Sequence, residues 1–189
     1  MFYKTKISAH IRVAPEKLVA DIKEGIFNEI RETYMGYISR NLGIVVDIAE
    51  VEIVGEGVIV PGDSGVFYET LFSVFTFKPE IQEIVNIKVR DIADFGVFAD
   101  MGPLDGMIHI SQTMDDFVTF SKDKVLSGKE TKQNLKIGDI CKARVIAISF
   151  KDITNPKIGL TMRQPGLGKP EWNLEENKKK KEQPKAKSS

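Results

Sequence analysis

Cysteine is almost missing from this chain, and histidine and tryptophan are scarce. Cys141 is the single thiol among 189 residues, so no internal disulfide can form, and a reducing compartment suits it. The two histidines, His10 and His109, share no metal-ligand spacing with each other or with Cys141, which argues against zinc, and no cofactor is expected. Net charge is missing too: Lys plus Arg and Asp plus Glu both number 27. Nothing in the overall charge therefore demands a polyanionic partner. Long apolar runs are lacking. No segment reaches the roughly 18 apolar residues of a membrane span, and MFYKTKISAH has no apolar leader core. The expectation is a cytoplasmic protein with no membrane partner.

Catalytic signatures are equally sparse. GLGKPE lacks the spacing of a phosphate loop, and GEGVIVPG lacks the dinucleotide fingerprint. Asp115-Asp116 are adjacent carboxylates in a polar stretch, the usual setting of solvated charges. Ser111 stands two residues from His109 with no third group to orient them. No catalytic centre is expected.

What is present is a change of pattern along the chain. FYKTKISAHIRV (2–13) reads as a strand, and APEKLVADIKEGIFNEIRETY (14–34) as a helix, with Pro15 in its first turn and a stripe of Leu18, Ile22, Ile26, Ile30 and Tyr34. Gly36 suits its end. From 37 to 77 the pattern becomes strands: YISR, a turn at NLG, IVVDIAEVEIV, VIV, a turn at PGDSG, then VFYETLFSVFTF. The reading is an α+β unit with the helix on one face of an antiparallel sheet. Pro79 marks the boundary, giving domains of 1–79 and 80–172. From Glu83 to Met162 short strands alternate with glycine-bearing turns, as in a small barrel; within it, 114–135 reads as polar and irregular, with one short helical turn. The tail from 173 to 189 is charged and nearly free of apolar residues, the composition of disorder. It holds the only basic excess, six basic against three acidic groups after Asn173, while residues 1–79 hold eight basic against eleven acidic.

The densest motif is ADFGVFADMGPLDGMIHIS (93–111), followed by LKIGDICKARVIAIS and KIGLTM. Phe95-Gly96-x-Phe98, Gly102, Gly106-x-x-His109-x-Ser111 and Lys136-x-Gly138-Asp139 together strongly resemble the S-one RNA-binding motif, a five-stranded OB-fold module. Single-stranded RNA stacks on aromatic faces at about 1–3 kcal/mol per base. Gly96 would let a base approach the strand, and Lys88, Arg90, Lys142 and Arg144 on neighbouring strands would meet phosphates. A small barrel also needs inward aromatics, so Phe95 and Phe98 carry a second reading as core. The family's binding face comprises two phenylalanines and a histidine, which map to Phe95, Phe98 and His109, and an Asp/Arg pair, here replaced by Ser149 and Lys157. Lysine keeps the charge but loses the bidentate fork.

The preceding residues narrow the resemblance. EVEIVGEGVIVPGDSGVFYETLFSVFTFKPEIQEIV, HISQTMDDF and KIGLTMRQPGLGKPEW make residues 1–172 similar to the E-prime family of archaeal RNA polymerase subunits, counterparts of the seventh subunit of eukaryotic RNA polymerase II. That resemblance implies a truncated RNP-like N-terminal domain followed by an S-one-type OB barrel. It further implies a heterodimer with the polymerase's F subunit, the counterpart of the eukaryotic fourth subunit. The pair would form a stalk on the polymerase core near the RNA exit channel and contact emerging single-stranded RNA. Roles in promoter opening, clamp closure, processivity and termination would follow, within a nucleotidyltransferase complex whose catalytic centre lies elsewhere. GYISRNLG (36–43) or the PGDSG turn would lie near the core contact, and the linker Phe77 to Ile84 near the F subunit. The alternative from the barrel alone is a free-standing translation or RNA-decay factor.

Overall fold

Alternating apolar residues draw FYKTKISAHIRV into β1 (Phe2–Val13), with Ile11 and Val13 buried on one side. The computed structural model describes residues 1–18, 21–121, 123–152 and 156–172; the predicted tail at 173–189 falls outside them. The chain divides into two compact units, Met1–Lys78 and Pro79–Ser189.

In the first unit the helix starts later than the sequence pattern suggests. Pro15–Lys17 form a single 3-10 turn, and α1 runs over Ile22–Tyr34. Its start is set by Asp21, whose carboxylate accepts the Lys23 amide at 2.9 Å. The four-residue stripe outruns the 3.6-residue turn. Ile26 and Ile30 are wholly buried and Ile22 drifts into solvent, while Leu18, exposed as well, follows the 3-10 turn and lies before the Asp21 cap, outside the helix. Gly36, at φ 76°, turns the chain out of the helix.

Short β2 (Ile38–Ser39) leads into β3 (Gly43–Ile59), which returns as β4 (Val66–Phe77). All pairings are antiparallel, in the order β1-β4-β3-β2. Ile59 still pairs with Val66, so VIV is no separate strand and the glycines of GEG lie within β3. The register slips at four places, between Val45/Asp47, Ile48/Glu50, Val51/Ile53 and Val54/Gly57. Each bulge adds a residue to β3. Consequently Val45, Ile48, Val51 and Val54, spaced by three, all meet the helix-facing side of β4, where Phe72 and Val74 complete the core. The other face carries the ion pairs Lys4–Glu50 and Lys6–Glu52, both at 2.6 Å.

The second unit is a closed barrel. Its strands are β5 (Ile84–Ala93), β6 (Gly96–Asp100), β7 (Asp105–His109), β11 (Ile140–Ser149) and β12 (Lys157–Thr161), in the order β11-β12-β7-β6-β5. Only β12 and β7 run parallel, as in an OB-fold. Ile87, Val89, Val97, Ile108, Val145 and Leu160 are among the buried inward residues. Cys141 joins them, its thiol pushed up to about 12, chiefly by burial. Between β7 and β11 the stretch that reads as irregular forms its own sheet: β8 (Val118–Ser121), β9 (Val125–Gly128) and β10 (Asn134–Leu135). Leu126 and Leu135 are fully buried, which explains how so polar a segment holds an ordered position. The one helical turn there falls earlier, at Ile110–Gln112. Among the described residues no helix is long and apolar enough to cross a membrane.

Candidate nucleic-acid interface

Strand alternation on β6 and β7 sends Val97, Ala99 and Ile108 inward and leaves Phe98, Met107 and His109 outward. Phe98 pairs with Met107 across the ladder, and His109 stands opposite Gly96. Phe95 lies in the turn before β6, its carbonyl accepting the Ile110 amide at 3.0 Å. Its ring meets the Phe98 ring edge-on, with centroids 5.9 Å apart at 89°. Phe95 is 49% and Phe98 37% exposed, so neither ring fills the barrel. Phe95, Phe98 and His109 form an outward ledge.

Gly96 also has a structural job, on the same face as Phe98 and opposite His109. A Cβ there would collide with the Ile108 carbonyl oxygen, so the glycine lets β6 and β7 approach each other beneath the rings. His109 is oriented from one side. Its Nδ1 lies 2.8 Å from Ser111 Oγ and accepts the Ser111 amide at 3.3 Å. An amide N–H can only donate, so Nδ1 is the unprotonated nitrogen and Nε2–H is left as a donor.

The charged candidates separate by strand. Lys88 and Arg90 are exposed on β5, beside β6. Arg90 is held by Asp105 of β7 at 2.6 Å. Lys157, at the start of β12, pairs in register with Ser149 of β11, so the two positions of the expected acidic–basic pair do face each other. Lys142 is exposed on β11, but Arg144 is half-buried and its Nε is enclosed without a hydrogen-bond partner among the described residues. β11 is separated from β6 by β5, so both lie off the ledge.

Sequence reading misses three neighbours of the ledge. Met107 covers the space beside Phe98. Asp91 stands opposite Phe98 on β5, brought there by a bulge between Val89 and Asp91. Lys124 reaches Asp91 at 2.7 Å from the β8–β9 turn. A separation of 33 residues hides that pair from any local pattern. In the first unit the β3–β4 tip exposes Val58, Ile59 and Val60, Ile59 at 73%.

Comparison with known proteins bears on both units. Residues 8–65 match the SHS2 domain found in N terminus of Rpb7p/Rpc25p/MJ0397, and residues 78–152 match the S1 RNA binding domain. The DNA-directed RNA polymerase subunit Rpo7 of Saccharolobus solfataricus is 35% identical over 91% of this chain and 97% of its own length. The chain belongs to the Rpo7 family of archaeal RNA polymerase subunits. This is the E-prime family that the motifs resemble. The DNA-directed RNA polymerase III subunit rpc8 of Schizosaccharomyces pombe is 23% identical over 66% of the chain and 61% of its own length. The small ribosomal subunit protein bS1 of Helicobacter pylori is 36% identical over 43% of this Rpo7-family chain, but over only 13% of its own length. Among the described residues no cluster of His, Cys, Asp and Glu could hold a metal ion.

Proposed function

We propose that this Rpo7-family chain is a non-catalytic stalk subunit of archaeal RNA polymerase, acting in the cytoplasm as a heterodimer with the polymerase's F subunit. In this reading it docks on the polymerase core and guides the emerging transcript during initiation, elongation and termination. The observation that carries the RNA-binding half is the outward ledge of Phe95, Phe98 and His109 on an S1-type barrel. Bases stack on the two rings and His109 Nε2–H donates to them. Lys88, Arg90 and Lys157 meet phosphates beside the ledge, and Lys142 and Arg144 extend the basic surface along β11.

The first unit fits docking better than RNA contact. Its tip hairpin presents three consecutive aliphatics, Val58, Ile59 and Val60, whose exposure alone is unfavourable and whose burial in a partner's socket is not. The segment 36–43 is the second docking candidate. The alternative of a free-standing translation or RNA-decay factor accounts for the barrel but leaves the SHS2 unit without a role.

Two experiments test the reading. Phe98→Ala with His109→Ala should weaken binding of single-stranded RNA at fixed salt by tenfold or more, given about 1–3 kcal/mol per stacked base. Unchanged binding by a folded double variant would remove the ledge assignment. Recovery of the tagged chain from native extract should bring other polymerase polypeptides with it. Cosedimentation with ribosomal particles and no polymerase would favour the alternative.

A further inference from the structure

A cation from outside the barrel strands is paired with the residue opposite Phe98 of the ledge. β8 and β9 form a hairpin whose turn places Lys124 at φ 55°, in the left-handed region that residues with a Cβ seldom enter. The turn is held there. The Lys124 amide donates to the Ser121 carbonyl at 3.0 Å, and Ser121 pairs with Val125. From this fixed point the Lys124 side chain crosses to the barrel and places Nζ 2.7 Å from Asp91 Oδ1.

Asp91 is equally constrained. The bulge in β5 inserts one residue before it and brings it opposite Phe98. Its Oδ1 also accepts the Ile92 amide at 2.8 Å. Lys124 and, secondarily, that amide hold the carboxyl below its ordinary range. Directly opposed residues on antiparallel strands have Cβ atoms about 5 Å apart, so the Lys124 ammonium is bound to the residue next to Phe98 on the outward face. Both members of the pair remain about half exposed, at 51% for Lys124 and 46% for Asp91. An ammonium has three donors and Asp91 engages one of them.

We infer that Lys124 is a phosphate contact of the RNA ledge, held on Asp91 in the free protein and transferred to a backbone phosphate when a strand stacks on Phe98. This rests on the proposed RNA reading and adds a residue to the same site. A nucleotide base stacked on the Phe98 ring would carry its phosphate towards the neighbouring strand, where Asp91 holds the cation. The phosphate then competes with Asp91 for an ammonium already positioned by the hairpin. Asp91 neutralises the cation between binding events, so an exposed lysine does not capture anions that bring no base. The effect is selectivity for a stacked nucleotide over phosphate alone, obtained by opposing the cation with a carboxylate.

The test uses the full chain and a labelled oligouridylate of about 16 nucleotides, the upper site size of one OB-fold, with affinity measured across a series of salt concentrations. Lys124→Gln should reduce affinity about two- to fivefold, the size of an exposed ion contact. It should also lower the slope of log affinity against log salt by about 0.7, the loss of one single-strand phosphate contact. In an Asp91→Asn background the same Lys124→Gln change should cost more than in the native protein, because the cation is no longer opposed. Circular dichroism melts confirm that each variant is folded. An unchanged salt slope in Lys124→Gln overturns the inference, as does an equal or smaller cost in the Asp91→Asn background, the result for a lysine that needs Asp91 for its position. Phe98→Ala separates the two levels. If it weakens binding while Lys124→Gln does not, the ledge stands and this inference fails. If it leaves binding unchanged, the underlying reading fails and takes the inference with it.

Discussion

The Arg12 guanidinium closes on the Asp63 carboxylate through three hydrogen bonds of 3.0, 2.9 and 2.6 Å, tying the PGDSG turn to the end of β1. The Gly65 amide adds a fourth at 2.8 Å. Arg12 first, and that amide second, pull the carboxyl from 3.8 down to about 2. Since the folded value lies below the unfolded one, the contribution to stability is fully present above about pH 4 and is lost as pH falls towards 2. Acid titration of thermal stability should show this loss in the native protein, and Asp63→Asn should flatten that portion of the profile. An identical acid limb in both proteins would contradict it.

Gly96→Ala should destabilise the barrel by about 1–3 kcal/mol, the usual cost of forcing atoms into a packed site. The added methyl meets the Ile108 carbonyl oxygen and the ladder itself must shift. The expected fall in melting temperature is a few degrees for a chain of this size. RNA affinity measured well below the melting point should change less than in Phe98→Ala, because the glycine supports the ledge from below.

Ser111→Ala leaves the backbone amide on His109 Nδ1 but removes the hydroxyl at 2.8 Å. The ring loses one of its two constraints. RNA affinity should fall by about two- to fivefold, the worth of roughly half to one kcal/mol in a side-chain hydrogen bond. In a His109→Ala background Ser111→Ala should have no further effect on binding.

Ile59→Asp should leave the first unit folded, since that side chain is 73% exposed. Recovery of the polymerase core with the tagged chain should drop at least tenfold, as for a central apolar anchor replaced by a charge. Unchanged recovery would move the docking surface away from the tip, and the 36–43 segment would be the next to alter.

The barrel is legible in the sequence because its constraints are local. Phe95, Gly96, Phe98 and His109 sit within fifteen residues of one another, and alternation alone determines which face each takes. The helix face around Ile26 and Ile30 is legible for the same reason, although its start is not: a stripe at four-residue spacing extends past the Asp21 cap without showing where the backbone changes state. β3 reads as two strands because bulges break the two-residue period by which strands are recognised. The β8–β10 sheet escapes notice because four-residue and two-residue strands give too little pattern, and Leu126 and Leu135 are too few to mark a core. Asp91 and Lys124 are invisible for a topological reason. Their meeting depends on a bulge and a left-handed turn in segments that the sequence does not connect.

The bulged strand also bears on how this chain tolerates change in length. A residue removed from an even ladder inverts every side chain beyond it, but β3 already carries a spare residue at each of four slips along its pairing with Val66–Phe77. Loss of Val46 or Ala49 can be absorbed by straightening one kink, while Val51 and Val54 beyond it keep their inward posts. The strand that looks least regular is therefore the one with the most slack, and homologous chains should differ in length there before they differ in β4.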